Sequence, residues 1–321
     1  MKAIRVHQFG GPEVLKVDDA ETPHPAPNEI LVRVMAAGVN PYDTYMRSGA
    51  YGARNPVLPY TPGSDAAGKI EVVGAGVDHL RVGDRVYTSG TLTGAYAESA
   101  LCKMEQVHTL PGEVTFSQGA GIYVPYATAY RSLFQLALAK PGEAVLIHGA
   151  SGGVGVAAIQ WARSAGLKVL GTAGSEKGLK LIAEQGAEHC FNHGSPNYQQ
   201  EILESTQGRG VDVILEMLAN KNLGHDLKML AHRGRVVVVG SRGDVQITPR
   251  DIMAREASVM GVLQWSIPAD QLAEIHAAIG SGLRSGTLKP FVGRELPLAA
   301  AAEAHRVVIE SSALGKIVLI P

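Results

Sequence analysis

Residues 145–166 read "VLIHGASGGVGVAAIQWARSAG", and their reading decides the fold. An apolar run at 145–148 enters a turn crowded by Gly149, Gly152, Gly153 and Gly155, and a helical segment of small apolar residues follows to position 165. A strand feeding a glycine turn and then a helix puts free backbone N–H groups at a positive helix end, where a pyrophosphate binds. The spacing is not G-x-G-x-x-G counted from Gly149, although Gly153-Val154-Gly155 followed by Ala158 satisfies a relaxed form. Alone, the pattern also describes a tight turn that binds nothing. The elements around it favour a bound dinucleotide.

Downstream, apolar strands at 168–171, 211–216, 235–240 and 258–263 are separated by helical segments, the pattern of βαβ units and a doubly wound parallel sheet. Upstream, short runs at 3–6, 30–34, 68–73, 84–87 and 95–101 alternate with Gly and Pro, which predicts antiparallel strands in a partly closed barrel. Near residue 124 the texture becomes helical in "YATAYRSLFQLALA", and Lys140-Pro141-Gly142 stops it. Helices at 269–279 and 298–309 and a strand at 316–320 are expected to return to the first domain. The expected architecture is α/β: a β-barrel domain over 1–123, completed by 267–321, and a nucleotide-binding domain over 124–266.

At 321 residues with 45% hydrophobic side chains, the chain can bury two cores. Lys and Arg number 29 against 30 acidic residues and form no run, which argues against nucleic acid as the main partner. Cys102 and Cys190 are too few for a disulfide framework or a four-thiolate zinc site. Residues 1–7 lack the apolar core of a signal peptide and no uncharged run reaches about 18 residues, so a cytoplasmic protein with no membrane partner is expected.

The end of the second strand of the nucleotide domain separates NAD from NADP, because an acid there binds a free ribose hydroxyl and a cation accommodates a 2′-phosphate. The residues are Thr172-Ala173-Gly174-Ser175-Glu176-Lys177. Glu176 points to NAD and Lys177 to NADP. If Glu176 opens the next helix it is a first-turn charge, which leaves Gly174, Ser175 and Lys177 toward the phosphate and favours NADPH.

The segments "AGVNPYDTYMRSGAYG", "LPYTPGSDAAG", "HGASGGVG", "EMLAN" and "VVGSRG", in this order, closely resemble the zeta-crystallin type of NADPH:quinone oxidoreductase. The likeness runs from Phe9-Gly10-Gly11-Pro12 to Gly315-Lys316. It implies the zinc-free branch of the medium-chain dehydrogenase/reductase superfamily: a GroES-like barrel domain, a Rossmann domain, and NADPH passing electrons or hydride to a quinone in a cleft between them. By position, Ser151, Gly152, Gly153 and Val154 would cradle the pyrophosphate, with Gly174 and Lys177 around the adenosine phosphate. His193 and Asn222 would line the adenosine and ribose side. Val239, Gly240, Ser241 and Arg242 would run beside the nicotinamide ribose and ring, as would Val262, Leu263 and Gln264. Thr128 is expected near the nicotinamide, and Tyr45 falls where the family has a cofactor-contacting tyrosine.

Many relatives in that superfamily carry zinc, which needs an imidazole with thiolate or carboxylate ligands and an open position. Here the expected Gly-His-Glu segment is Gly63-Ser64-Asp65 and no Cys stands near Gly38, so no metal is expected. A quinone accepts charge easily and needs orientation and hydrogen bonds more than a strong acid. Tyr51, in a Gly49-Ala50-Tyr51-Gly52 turn like that of enoyl reductases, is the expected donor to the acceptor oxygen. Tyr45 faces the same space and Asn40 fixes the nearby geometry. Packing alone would also explain the tyrosines. Arg47 is read as attracting quinone oxygens or solvating a loop. A rival reading is an NADPH-dependent alkenal or enoyl-thioester reductase, which should carry a Lys/Arg cluster at its pocket mouth; another class is an RNA-binding or structural crystallin-like protein. A homodimer or dimer of dimers, paired through the edge strand at 258–263, is expected from the superfamily.

Overall fold

The computed structural model describes residues 1–309 and 314–321. It divides into two compact units, Met1–Val124 with Lys289–Pro321, and Pro125–Leu288.

The second unit is built on six parallel strands in the order His189–Asn192, Lys168–Ala173, Ala144–Ile147, Val211–Glu216, Leu230–Val238, Ser258–Gly261. The strand Ala144–Ile147 is a continuous buried apolar run, and Val213, Ile214 and Leu215 are fully buried beside it, because helices cover both faces of the sheet. Chain order reverses between Ala144–Ile147 and Val211–Glu216, the switch point at which an open α/β sheet leaves a crevice. The strand His189–Asn192 escaped the sequence reading because it is short and polar at both ends. The segment after residue 124 is helical as expected, but it winds as wider π turns over Tyr123–Ala127 and Arg131–Leu136, flanking Thr128–Tyr130.

The helix Ala269–Arg284 belongs to this second unit, and the chain returns to the first only at Lys289, not at residue 267. Its polar side chains explain the placement: Arg131 Nη1 donates to Gln271 Oε1 at 2.8 Å and Tyr130 Oη to Glu274 Oε1 at 2.8 Å.

In the first unit, a hairpin of Lys2–Val6 and Leu15–Asp19 accompanies a larger sheet ordered Val292–Pro297, Lys316–Ile320, Glu29–Val39, Asp65–Val73, Arg85–Thr88, Val107–Thr109, with Ser99–Lys103 also on Glu29–Val39. The strands of the first third pair antiparallel as expected, and Val292–Pro297, which pairs parallel with Lys316–Ile320, makes the sheet mixed. That outer strand is largely exposed and carries little apolar signal. The core gathers Ile4, Val34, Val39, Tyr96, Ile317 and Leu319. Glu29–Val39, eleven residues long, is the strand on which the others assemble. Among the described residues no helix is long and apolar enough to cross a membrane.

Candidate active site

In the second unit the glycine turn follows the strand Ala144–Ile147 and opens the helix Gly153–Ser164. Gly149 has a φ of +54°, and a Cβ at Gly155 would fall 2.5 Å from Ala150 Cα, so the close packing of helix on turn requires glycine there. Gly152 is the N-cap, with no side-chain cap and no acidic residue in the first turn. The first amides of the helix therefore meet no protein anion, and Ser151, Gly152, Gly153 and Val154 surround them.

The next strand ends at Ala173, and Gly174 follows. A Cβ on Gly174 would lie 2.7 Å from His193 Nε2, so the fold brings these two expected residues together. Ser175 caps the helix Glu176–Gln185 by accepting from Gly178 N–H at 3.2 Å. Glu176 is the first residue of that helix, and Lys177 is exposed beside it.

Across the switch point, Val239 N–H donates to Glu216 O at 2.8 Å and Gly240 O accepts from Ala219 N–H at 2.9 Å. Arg242 N–H donates to Asn220 Oδ1 at 3.0 Å, Ser241 Oγ to Gly243 O at 2.9 Å, and Asn222 Nδ2 to Glu216 Oε1 at 3.1 Å. Past the last strand, Val262 N–H donates to Val238 O at 3.1 Å, Leu263 is 41% exposed, and Gln264 Nε2 donates to Thr128 Oγ1. The residues expected at the cofactor from this unit thus gather beyond the carboxyl ends of its strands or on the elements packed there. Three further residues at that end escaped the sequence reading: His148, Glu216 and Asp226 form a fully buried cluster. The available signal was a polar residue directly after the apolar runs 144–147 and 213–215, at 148 and at 216.

In the first unit, Asn40 precedes the helix Pro41–Ser48 and closes a reciprocal cap with Asp43, whose Oδ2 accepts from Asn40 N–H at 2.8 Å. Both ends of the Asn40 amide are engaged: Oδ1 accepts from Lys316 Nζ at 2.6 Å and Nδ2 donates to Asp65 Oδ2 at 3.0 Å. Lys316 also donates to Asp65 Oδ2 at 2.7 Å, and Asp65 Oδ1 accepts from Val124 N–H at 3.1 Å. Glycine at 38 makes room, since a Cβ there would meet Lys316 Cε at 2.7 Å and Ala120 O at 2.0 Å. From Asp43 the chain continues: Tyr96 Oη donates to Asp43 Oδ2 at 3.1 Å, His305 Nε2 lies 3.3 Å from Tyr96 Oη, and Arg47 Nη1 donates to His305 Nδ1 at 3.2 Å. Burial pushes the Asp43 carboxyl up to about 7; burial, then the Arg47 guanidinium, hold His305 down at about 3. Arg47 is 6% exposed and also donates to Gly10 O at 3.1 Å, so it neither attracts substrate nor solvates a loop.

Tyr45 and Tyr51 are half-buried, with ring centroids 6.5 Å apart, and the Tyr42 ring also stands 6.5 Å from Tyr51. Burial is the first cause raising the Tyr51 hydroxyl pKa, which keeps it a donor through neutral pH. A recess of about 380 Å³ lies alongside, lined by Tyr42, Met46, Tyr60, Ser64 and Thr93, with Arg5 as its one basic residue among those described.

Over its full length the chain is 51% identical to the quinone oxidoreductase of Homo sapiens, covering 98% of that relative. The chain belongs to the quinone oxidoreductase family. Within it, residues 26–136 match the alcohol dehydrogenase GroES-like domain and residues 153–278 the zinc-binding dehydrogenase family. The Escherichia coli quinone oxidoreductase complexed with NADPH superposes with a TM-score of 0.91 at 31% identity, covering all of both chains. The CurK enoyl reductase gives 0.91 at 27% identity over 99% of this chain and 98% of that one. The second family description implies zinc, and the residues of this quinone oxidoreductase relative do not fit it in the barrel. Asp65 is paired with an ammonium, Gly38 offers no thiolate, and Ser64 replaces the expected imidazole.

Proposed function

We propose that the chain is an NADPH-dependent quinone reductase that works without a metal. The observation that carries this reading is full-length similarity to quinone oxidoreductases, with the expected cofactor residues gathered at one end of the parallel sheet. The amides of Gly153 and Val154, which no side chain caps, and the glycine cradle fit a pyrophosphate; Gly174, Lys177 and His193 fit the adenosine end. When bound, the reduced nicotinamide supplies the electrons. Thr128 and Gln264, hydrogen-bonded to each other, hold the wall assigned to its ring, and Val239 to Arg242 hold the ribose side.

On the acceptor side, Tyr51 donates a hydrogen bond to the quinone oxygen as it becomes negative, and Tyr45 flanks it. Asn40, 3% exposed and engaged by Lys316 and Asp65, is a positioning residue that fixes the start of the helix bearing Tyr45. An enoyl reductase is the second reading, supported by the CurK likeness and the Gly49-Ala50-Tyr51-Gly52 turn. Identity of 51% to a quinone oxidoreductase, against 27% to the enoyl reductase, favours the quinone. We place the protein in the cytoplasm and expect a dimer paired through the exposed edge strand Ser258–Gly261.

Titration with NADPH and NADH, followed by turnover of 9,10-phenanthrenequinone and of an enoyl thioester, tests the reading. Tight NADPH binding with quinone reduction is expected. Turnover of the thioester alone would replace the substrate, and no binding of either nucleotide would reduce the glycine turn to a structural one.

A further inference from the structure

The second unit buries two carboxyl groups and an imidazole at the switch point that the reaction does not use. His148 Nε2 donates to Asp226 Oδ1 at 2.9 Å and lies 3.7 Å from Glu216 Oε2; the three side chains are 3%, 0% and 0% exposed. The cluster is wired to both halves of the nucleotide crevice. His148 Nδ1 accepts from the Thr172 hydroxyl at 3.3 Å, and Thr172 Oγ1 accepts from Gly149 N–H at 3.3 Å, in the glycine turn. Glu216 Oε1 accepts from Leu218 N–H and from Asn222 Nδ2, which pins the turn across the switch point.

Two oxygens remain, Glu216 Oε2 and Asp226 Oδ2, buried with no protein donor. Ligand atoms of His148, Glu216 and Asp226 lie within 4.8 Å of one another, and two buried carboxyl groups so close are satisfied by holding one proton between them. The surroundings offer no alternative cation: among the described residues the ion-pair partner of both carboxyls is His148, while Tyr198 and His193 are the other titratable groups facing the cluster.

We propose that His148, Glu216 and Asp226 are positioning residues for the dinucleotide, in which one shared proton holds the 217–222 turn and, through Thr172, the glycine turn in binding geometry. The inference rests on the nucleotide-binding reading of this unit. Burial pushes the Glu216 and Asp226 carboxyls up and the His148 imidazole down, so the pair keeps a proton that an exposed pair would have lost and releases it as pH rises. Its loss leaves two adjacent carboxylates in a low-dielectric interior, and their repulsion loosens both turns.

The test is the NADPH dissociation constant measured from about pH 6 to about pH 9 for the wild type and for Glu216→Gln, whose amide keeps the acceptor for Leu218 and Asn222 and donates permanently to Asp226. Affinity is expected to fall about tenfold with rising pH in the wild type and to stay level in the variant. The cofactor's own phosphate titrates alike with both proteins and cancels in their ratio. Asp226→Asn, which also removes the repulsion, is expected to level the profile and serves if the first variant does not fold. Parallel profiles overturn the proposal while leaving nucleotide binding intact. No NADPH binding by the wild type at any pH overturns both. A stoichiometric divalent metal in the purified protein overturns the shared proton, because the three ligands would then serve the ion.

Discussion

Lys316 Nζ lies 2.7 Å from Asp65 Oδ2, an ion pair joining the last strand of the chain to the strand Asp65–Val73, with both side chains excluded from solvent. Taking both charges out of water is costly, and each is tolerable only because the other is there. Removing one partner leaves a buried, unpaired carboxylate. Lys316→Met is expected to cost about 3–5 kcal/mol in urea unfolding, and the double variant Lys316→Met/Asp65→Asn to recover a large part of that loss.

The chain from Asp65 to Arg47 passes through His305, whose linkage has a definite sign. The folded state holds His305 near 3 while the unfolded chain protonates it near 6.5, so its contribution is intact above that value and is lost as pH falls. Asp43, raised to about 7, acts oppositely, losing its contribution as pH rises toward 7. His305→Gln isolates the first effect. Relative to the variant, the wild type is expected to lose about 2 kcal/mol between about pH 7 and about pH 5 in denaturant titrations.

Tyr51→Phe keeps the ring contacts with Tyr42 and Tyr45 and removes the hydroxyl. With 9,10-phenanthrenequinone, kcat is expected to fall about tenfold or more at unchanged NADPH affinity. Unchanged kcat would assign the ring to packing alone.

Lys177 is exposed at the start of a helix next to Gly174 and His193. Lys177→Ala is expected to weaken NADPH by about threefold to tenfold and leave NADH unaffected, as measured by fluorescence titration. Equal losses for both would remove the contact with the 2′-phosphate.

The strand Ser258–Gly261 closes one edge of the parallel sheet, with Val259 38% exposed and Trp265 47% exposed just beyond it. An unpaired apolar edge invites a second copy. Light scattering of the wild type is expected to give a dimer or a dimer of dimers, and Val259→Lys to reduce the mass.

The sequence by itself determined the parallel-sheet unit and the turn at Gly149 to Gly155, because strand, glycine turn and helix are local patterns set by chemistry a few residues apart. It likewise determined the neighbourhood of Gly174 and Lys177, which follow directly from where the second strand ends. Short polar strands such as His189–Asn192 and Val292–Pro297 left no such trace, since partners distant in sequence fix them. Only the tertiary structure decided that Arg47 is buried against His305, that Lys316 answers Asp65 across 251 positions, and that His148, Glu216 and Asp226 meet. Each of these is a charged or titratable group whose cost of burial depends on which groups face it, and that is a property of chain crossings that periodicity does not encode.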